Sequence, residues 1–144
     1  MNINYMPTHP GAQAPHRAHP TDAGADLHAA LEDPVTIEPG QRRLIPTGVA
    51  LAIPEGYVGL IHPRSGMAAR HGVTVLNTPG TVDADFRGEV KVCLINHGKS
   101  PRTIQPGDRI AQLLIQAVEL PNFVEADTLD TTQRGAGGFG STGQ

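Results

Sequence analysis

Asn77-Thr-Pro79-Gly80-Thr81-Val82-Asp83-Ala-Asp85-Phe86-Arg87-Gly88-Glu89 packs turn residues, two carboxylates, an aromatic and a cation into one short stretch, and apolar alternation resumes directly after it with Val90, Val92 and Leu94. This pattern predicts a tight β-hairpin with a functional tip. Pro79 fixes φ, and Gly80 is free to adopt the left-handed conformation, so the backbone at the turn can approach a ligand closely. Side chains on a strand alternate, which sends Asp83 and Asp85 to one side and Phe86 to the other unless a bulge intervenes. One acid then acts and the other supports. A local role, in which Asn and Asp only bond their own backbone, is the competing reading of this segment taken alone.

Outward from this stretch the chain reads as many short strands. Charged residues are only 17% of the 144, while Gly (17) and Pro (13) are abundant, which suits strands joined by turns better than a helix bundle. The expected class is all-β, in one domain. Val35-Thr-Ile37 is a short strand and Glu38-Pro-Gly40 a turn. From Leu44 to His62 the alternation of Val49, Leu51 and Ile53, the turn Pro54-Glu-Gly56, and the resumption at Val58 and Leu60 predict a hairpin or meander. Met67-Ala-Ala-Arg70 favours one short helix, with Arg64, Ser65 and Gly66 at or before its start and Gly72 as its stop. A helix start exposes unpaired N–H groups, so this is a phosphate seat or an ordinary cap. Arg109 to Gln116 is a mostly apolar strand in which Gln112 needs a polar partner, backbone or ligand.

A net charge of −3 offers no basic footprint for nucleic acid, and the chain has no Trp and few other aromatics for base stacking. Any bound anion has to be held by a few local cations. Cys93 is the one cysteine, so no internal disulfide forms, and its apolar neighbours predict core packing. His9, His16 and His19 are separated by prolines, which no regular element presents on one face, so they are read as loop or edge-strand residues and not as a metal site. The N-terminus lacks a basic segment followed by an apolar one, and no stretch approaches a membrane span, so the expectation is a soluble cytoplasmic protein.

From Thr128 the chain changes character, and Arg134-Gly-Ala-Gly-Gly-Phe139-Gly-Ser-Thr-Gly-Gln closes it. This predicts a core domain over residues 1–128 and a flexible Gly-rich arm over 129–144. Gly135 to Thr142 has P-loop-like glycine spacing, but Ser141 stands where a lysine is needed and no helix follows. What remains is a Gly-rich segment that, with Arg134, can wrap an anion, with Phe139 as a lid.

Five segments in this order resemble the five motifs of the trimeric dUTPase family: Ala23-Gly-Ala-Asp26-Leu, Pro63-Arg-Ser-Gly-Met-Ala, Gly80-Thr-Val-Asp83-Ala-Asp-Phe86-Arg-Gly-Glu-Val, Gly107-Asp-Arg-Ile-Ala-Gln112-Leu, and the Arg134 tail. The resemblance implies a jelly-roll-like distorted β-barrel, a homotrimer, and hydrolysis of dUTP to dUMP and pyrophosphate, which limits uracil incorporation into DNA and supplies dUMP for dTMP synthesis. It implies three sites at subunit junctions, each with the hairpin of one copy, the second and fourth motifs of a neighbour and the tail of the third. Asp83 is the implied general base for a water attacking the α-phosphorus. Mg2+ is the implied cofactor, with Asp26 holding metal-bound water. Arg64, Ser65, Gly66, Gln112 and Arg134 are implied phosphate contacts, Asn77, Gly80, Thr81 and Val82 read uracil, Phe139 stacks on it, and Lys91 lies near the base through its main chain.

Phe86 departs from the tyrosine usual in the family. Packing against deoxyribose needs the ring and not the phenol, so sugar discrimination is expected to persist. Met67 replaces the usual leucine, a volume-conserving change. A dCTP deaminase-like enzyme of the same fold and a nucleotide-binding regulatory trimer are the alternatives. The intact Gly-Thr-Val-Asp83 segment and the full tail weigh against the first, and retention of Asp26, Asp83 and Arg134 together weighs against the second.

Overall fold

The computed structural model describes residues 1–140; residues 141–144, with Ser141 and Thr142 of the P-loop-like comparison, lie outside it. The strands are β1 (Asn4–Pro7), β2 (Ala25–His28), β3 (Val35–Ile37), β4 (Arg42–Ala52), β5 (Tyr57–His62), β6 (Val73–Val75), β7 (Gly80–Val82), β8 (Glu89–Asn96), β9 (Arg102–Ile104) and β10 (Arg109–Ala117). A single short helix, α1 (Ser65–His71), interrupts them among the described residues. The class is all-β, as the composition predicts. No described helix is long and apolar enough to cross a membrane.

Two four-stranded sheets, β1-β4-β8-β6 and β2-β10-β5-β7, supply most of one core in a jelly-roll-like arrangement, and the β3-β9 pair adds to it. Ile45, Val49 and Leu51 from β4 and Val90, Val92 and Leu94 from β8 come from the first sheet. Leu27, Ile61, Val82 and Leu113 come from the second, and Ile37 and Ile104 from the small pair. Burying such side chains stabilises by about 1.5–3 kcal/mol each, so this shared core is the main force holding the sheets together.

Inside it, the fully buried Asn96 ties three backbone groups: its Nδ2 donates to the carbonyls of Ile37 and Ser100 (both 2.9 Å), and its Oδ1 accepts from the N–H of Gly98 (2.8 Å). A side-chain amide can do this because it has both donors and an acceptor.

The predicted hairpins are corrected by the pairing. β4 and β5 turn at Pro54 to Gly56, yet β4 pairs with β1 and β8 while β5 pairs with β10 and β7, so the chain crosses between sheets there. In β5 the core-facing residues are Gly59 and Ile61, with Val58 and Leu60 only half-buried. A side chain on Gly59 would stand 2.7 Å from Ile53 Cδ1 and 3.2 Å from Val82 Cβ, so adding one there would force the core around it to shift.

The stretch from Asn77 to Glu89 behaves similarly. β6 and β8 form the hairpin, pairing Val73 with Asn96 and Val75 with Leu94, while β7 leaves the connection to pair with β5. Gly80 is not in the left-handed region. It is buried in β7, where an added Cβ would stand 3.3 Å from Ile61 Cβ and 3.4 Å from Asn77 Nδ2. Close approach, not φ, is what makes glycine fit.

The alternation expected through Asp83 and Asp85 ends at Val82. Residues 83–86 form a turn closed by the Phe86 N–H donating to the Asp83 carbonyl (3.2 Å). Cys93 is half-buried on the side of β8 opposite Val92 and Leu94, so it is not core. Regular structure ends at Ala117, and the described residues beyond it are irregular and almost wholly exposed.

Candidate functional site

Strand register assembles the first part of the site. Asp26 on β2 lies opposite Gln112 on β10, and Gln112 lies opposite His62 on β5, so the three form one row across the sheet. Directly opposed residues share a face, and Leu27, Ile61 and Leu113, their neighbours in sequence, fill the core on the other. Asp26 therefore sits within a strand, immediately after Gly24.

Its carboxylate is 16% exposed and takes two guanidiniums: Arg64 Nε at 3.1 Å on Oδ1 and Arg109 Nη1 at 3.2 Å on Oδ2. Each arginine is thereby oriented by a charge-assisted bond, and the pair leaves one positive charge over.

Arg64 is also the residue from which α1 starts. The helix runs from Ser65, and no side chain caps its first turn. Its end is as expected: Gly72 is left-handed (φ 66°) and its N–H reaches the carbonyls of Ala68 and Met67. An uncapped first turn leaves N–H groups available to a ligand beside the two arginines.

Gln112 finds a backbone partner, with Nε2 donating to the Pro63 carbonyl at 2.9 Å. That bond holds the amide so that its oxygen lies over Gly24, whose Cβ, if it had one, would collide with Oε1. Asp26, Arg64, Ser65, Gly66, Arg109 and Gln112 line a polar cleft of about 370 Å³. Asp22 lines it too, so its two arginines and two aspartates balance, and its capacity for an anion rests on the guanidinium, hydroxyl and helix N–H donors that converge on it.

The second part is at the other end of the same sheet. Asp83, Asp85, Thr81, Arg87, Tyr57 and Leu120 line a separate cleft of about 670 Å³. Arg87 braces the turn by donating to the carbonyls of Ala84 (2.6 Å) and Phe86 (3.0 Å). The Phe86 ring lies against Gly88, where a Cβ would stand 2.7 Å from its Cζ, and it remains 44% exposed. Asn77 is exposed beside Gly80. Lys91 is exposed with Nζ 3.7 Å from Glu89 Oε2. Arg134 is engaged within the arm, Nε donating to the Gly137 carbonyl at 2.8 Å, and Phe139 is fully exposed at φ 46°.

One chain thus brings Asp26, Arg64, Ser65, Gly66 and Gln112 together, and Thr81 with Asp83, but not the two groups with each other. Val82 faces the core, and Thr81 pairs with Leu60. Four residues along β5 and two strand spacings across put the Asp83 and Gln112 backbones about 16 Å apart.

Arg109 and Gly24 escape a sequence reading as functional positions. Their signal is the β2–β10 register, which no local pattern states. Burial lowers the pKa of His28 on β2, against the raising effect of Asp26 and with further lowering from Arg109, His16 and Arg64. Its Nδ1 and the Nε2 of His62 are buried without a hydrogen-bond partner.

Residues 11–143 match the family model for dUTPase. The chain belongs to the dUTPase family. A Corynebacterium efficiens dUTPase, named deoxyuridine 5'-triphosphate nucleotidohydrolase, is 60% identical over 99% of this chain and 78% of its own. The dUTPase of Nocardia farcinica, with the same name, is 62% identical over 93% of this chain and 81% of its own. Among solved structures, a mutant Staphylococcus bacteriophage 80alpha dUTPase with dUpNHpp superimposes with a TM-score of 0.90 at 28% identity, covering 99% of both chains. A mutant dUTPase from phage phi11 of S. aureus, described as coordinating a structural Mg(II) ion, has a TM-score of 0.82 at 28% identity over 89% of this chain and 98% of its own.

Proposed function

We propose that this dUTPase-family chain hydrolyses dUTP to dUMP and pyrophosphate by attack of water on the α-phosphorus, in sites shared between copies of a homotrimer. The observation that carries the reading is the convergence of Asp26, Arg64 with Ser65, and Gln112, from three separate segments, on one donor-rich cleft with an uncapped helix start beside it.

In this reading Arg64, Ser65, Gly66 and Gln112 bind the phosphates and hold the α-phosphorus for in-line attack. Asp83, exposed on its braced turn, orients the water and accepts its proton. A general base works only within hydrogen-bond reach or through one water, and about 16 Å is far beyond that. In this reading a neighbouring copy supplies Asp83 to each phosphate seat, and the separation of the two clefts within one chain supports a site shared between copies. Asn77 and the backbone of Gly80, Thr81 and Val82 bind uracil, with Lys91 nearby through its main chain. Phe86 packs on deoxyribose, and its lack of a hydroxyl leaves the steric filter in place. Arg134 and Phe139, on an arm taken as residues 129–144 beyond a 1–128 body, close over the γ-phosphate and the base.

The donor set fits Mg2+. Asp26 and Asp22 are the two carboxylates lining this polar cleft, and the described residues contain no group of three or more His, Cys, Asp or Glu able to cage an ion. Magnesium keeps several waters and commonly binds through one carboxylate plus substrate phosphates, so Asp26 would hold it through water. When bound, it neutralises charge on the triphosphate. The substrate is a soluble nucleotide, and we take the enzyme to be cytoplasmic.

Incubation with Mg2+ and, separately, dUTP, dCTP, dTTP and UTP tests the reading. dUMP and pyrophosphate from dUTP alone is the expected result. Deamination of dCTP or absence of turnover would overturn it.

A further inference from the structure

Arg64, Gly66 and Arg109 line the phosphate seat, but they also form one wall of a smaller cleft of about 190 Å³ whose other walls include Arg70, Arg102 and Asp108. Four arginines line it. Asp26 neutralises part of the charge of Arg64 and Arg109 from the neighbouring cleft. The carboxylate of Asp108 already accepts the Gln105 N–H at 2.8 Å. Among the described residues, neither Arg70 nor Arg102 pairs with a carboxylate, and Arg102 Nε is buried with no acceptor.

Arg70 is exposed, but its side chain does not point straight away from the helix. Its Nη2 would stand 2.8 Å from a Cβ on Gly66, so its guanidinium folds back over the first turn of α1. Buried donors are nearly always satisfied, and like charges held together call for a counter-ion. Four arginines around a small cleft have the fork geometry that suits a tetrahedral oxyanion.

We propose that this cleft is a second anion site, which takes a phosphate group, either inorganic phosphate or one end of pyrophosphate, while the phosphate seat beside it is occupied. Arg70 and Arg102 are its own ligands, and Arg64 and Arg109 are shared with the seat. The site rests on its own geometry and not on dUTP hydrolysis. If the bound group is pyrophosphate, the site lies next to the place where that product would form.

The test is isothermal titration of inorganic phosphate, and separately pyrophosphate, into the full-length protein saturated with Mg2+ and an α,β-imido analogue of dUTP. One further anion per chain is expected to bind, with affinity reduced about tenfold or more in Arg70→Gln and in Arg102→Gln. Arg70→Gln lies on the surface of a short helix and guards against a folding defect in the more buried variant. The tighter of the two anions identifies the source. Absence of binding to the analogue-loaded protein, or equal affinity in wild type and both variants, would overturn the proposal. Failure of the analogue itself to bind would instead count against the dUTP reading. Phosphate titration of the protein alone would then still report this cleft through its sensitivity to Arg70→Gln.

Discussion

Two inactive variants should restore each other. Asp83→Asn removes the proposed base and Arg64→Gln removes a phosphate ligand, and the two positions line separate clefts of one chain. Loss of a general base costs about 10²–10⁴ in kcat, and loss of one preorganised cationic or hydrogen-bond donor about 10²–10³, so each homotrimer should be nearly silent. In a trimer assembled from both, a junction works when the copy supplying Asp83 is the Arg64→Gln chain and the copy supplying the seat is the Asp83→Asn chain. Random assembly from equal amounts satisfies both conditions at about one junction in four, given equivalent interfaces. Sequential purification on two different tags after co-expression removes both homotrimers, and every mixed trimer that remains has one competent junction in three, so a pyrophosphate-release assay should recover roughly a third of wild-type activity. A mixed protein no more active than its parents would refute the shared site. It would mean that Asp83 and Arg64 serve the same chain in spite of their separation.

The geometry sets three other outcomes. Gly24→Ala places a Cβ on Gln112 Oε1 and should force the amide off the Pro63 carbonyl, raising KM for dUTP roughly five- to tenfold, the value of about 1 kcal/mol for one hydrogen bond. Unchanged steady-state kinetics would count against it. Asn96→Ala strands the buried Ile37 carbonyl and frees two part-buried backbone groups, and should cost about 2 kcal/mol, read as a shift in the denaturant midpoint. His28, whose folded pKa is lowered from 6.5 chiefly by burial, binds fewer protons folded than unfolded. Its contribution is complete above pH 6.5 and is lost as pH falls toward the folded pKa; His28→Gln should flatten the stability profile in that window.

How much of this is legible in the sequence depends on range. Short strands such as Val35–Ile37, the helix stop at Gly72 and the alternation of Val90, Val92 and Leu94 are local, and the residue pattern states them. Which strand pairs with which is a long-range choice. β4 and β5 look like a hairpin because alternation on either side of a turn is the same whether the chain folds back or crosses to the other sheet. Cys93 reads as core because an unbroken apolar run hides which of its residues face inward.

At the site, the five motif segments are readable as residue types, with Asp26 and Gln112 among them. That Asp26 and Gln112 face each other, and that Arg109 completes the grip on Asp26, needs the register. Gly80 reads as a turn residue although its small size serves packing against Ile61, since a glycine's two uses look identical in sequence.

Hydrolysis in ¹⁸O-labelled water tests the central claim most directly, because it reports which phosphorus the water attacks. With dUTP and Mg2+, mass spectrometry should find the label in dUMP and none in pyrophosphate. Label in pyrophosphate, or release of orthophosphate and dUDP in place of dUMP, would contradict attack at the α-phosphorus and with it the roles assigned to Asp83 and the phosphate seat.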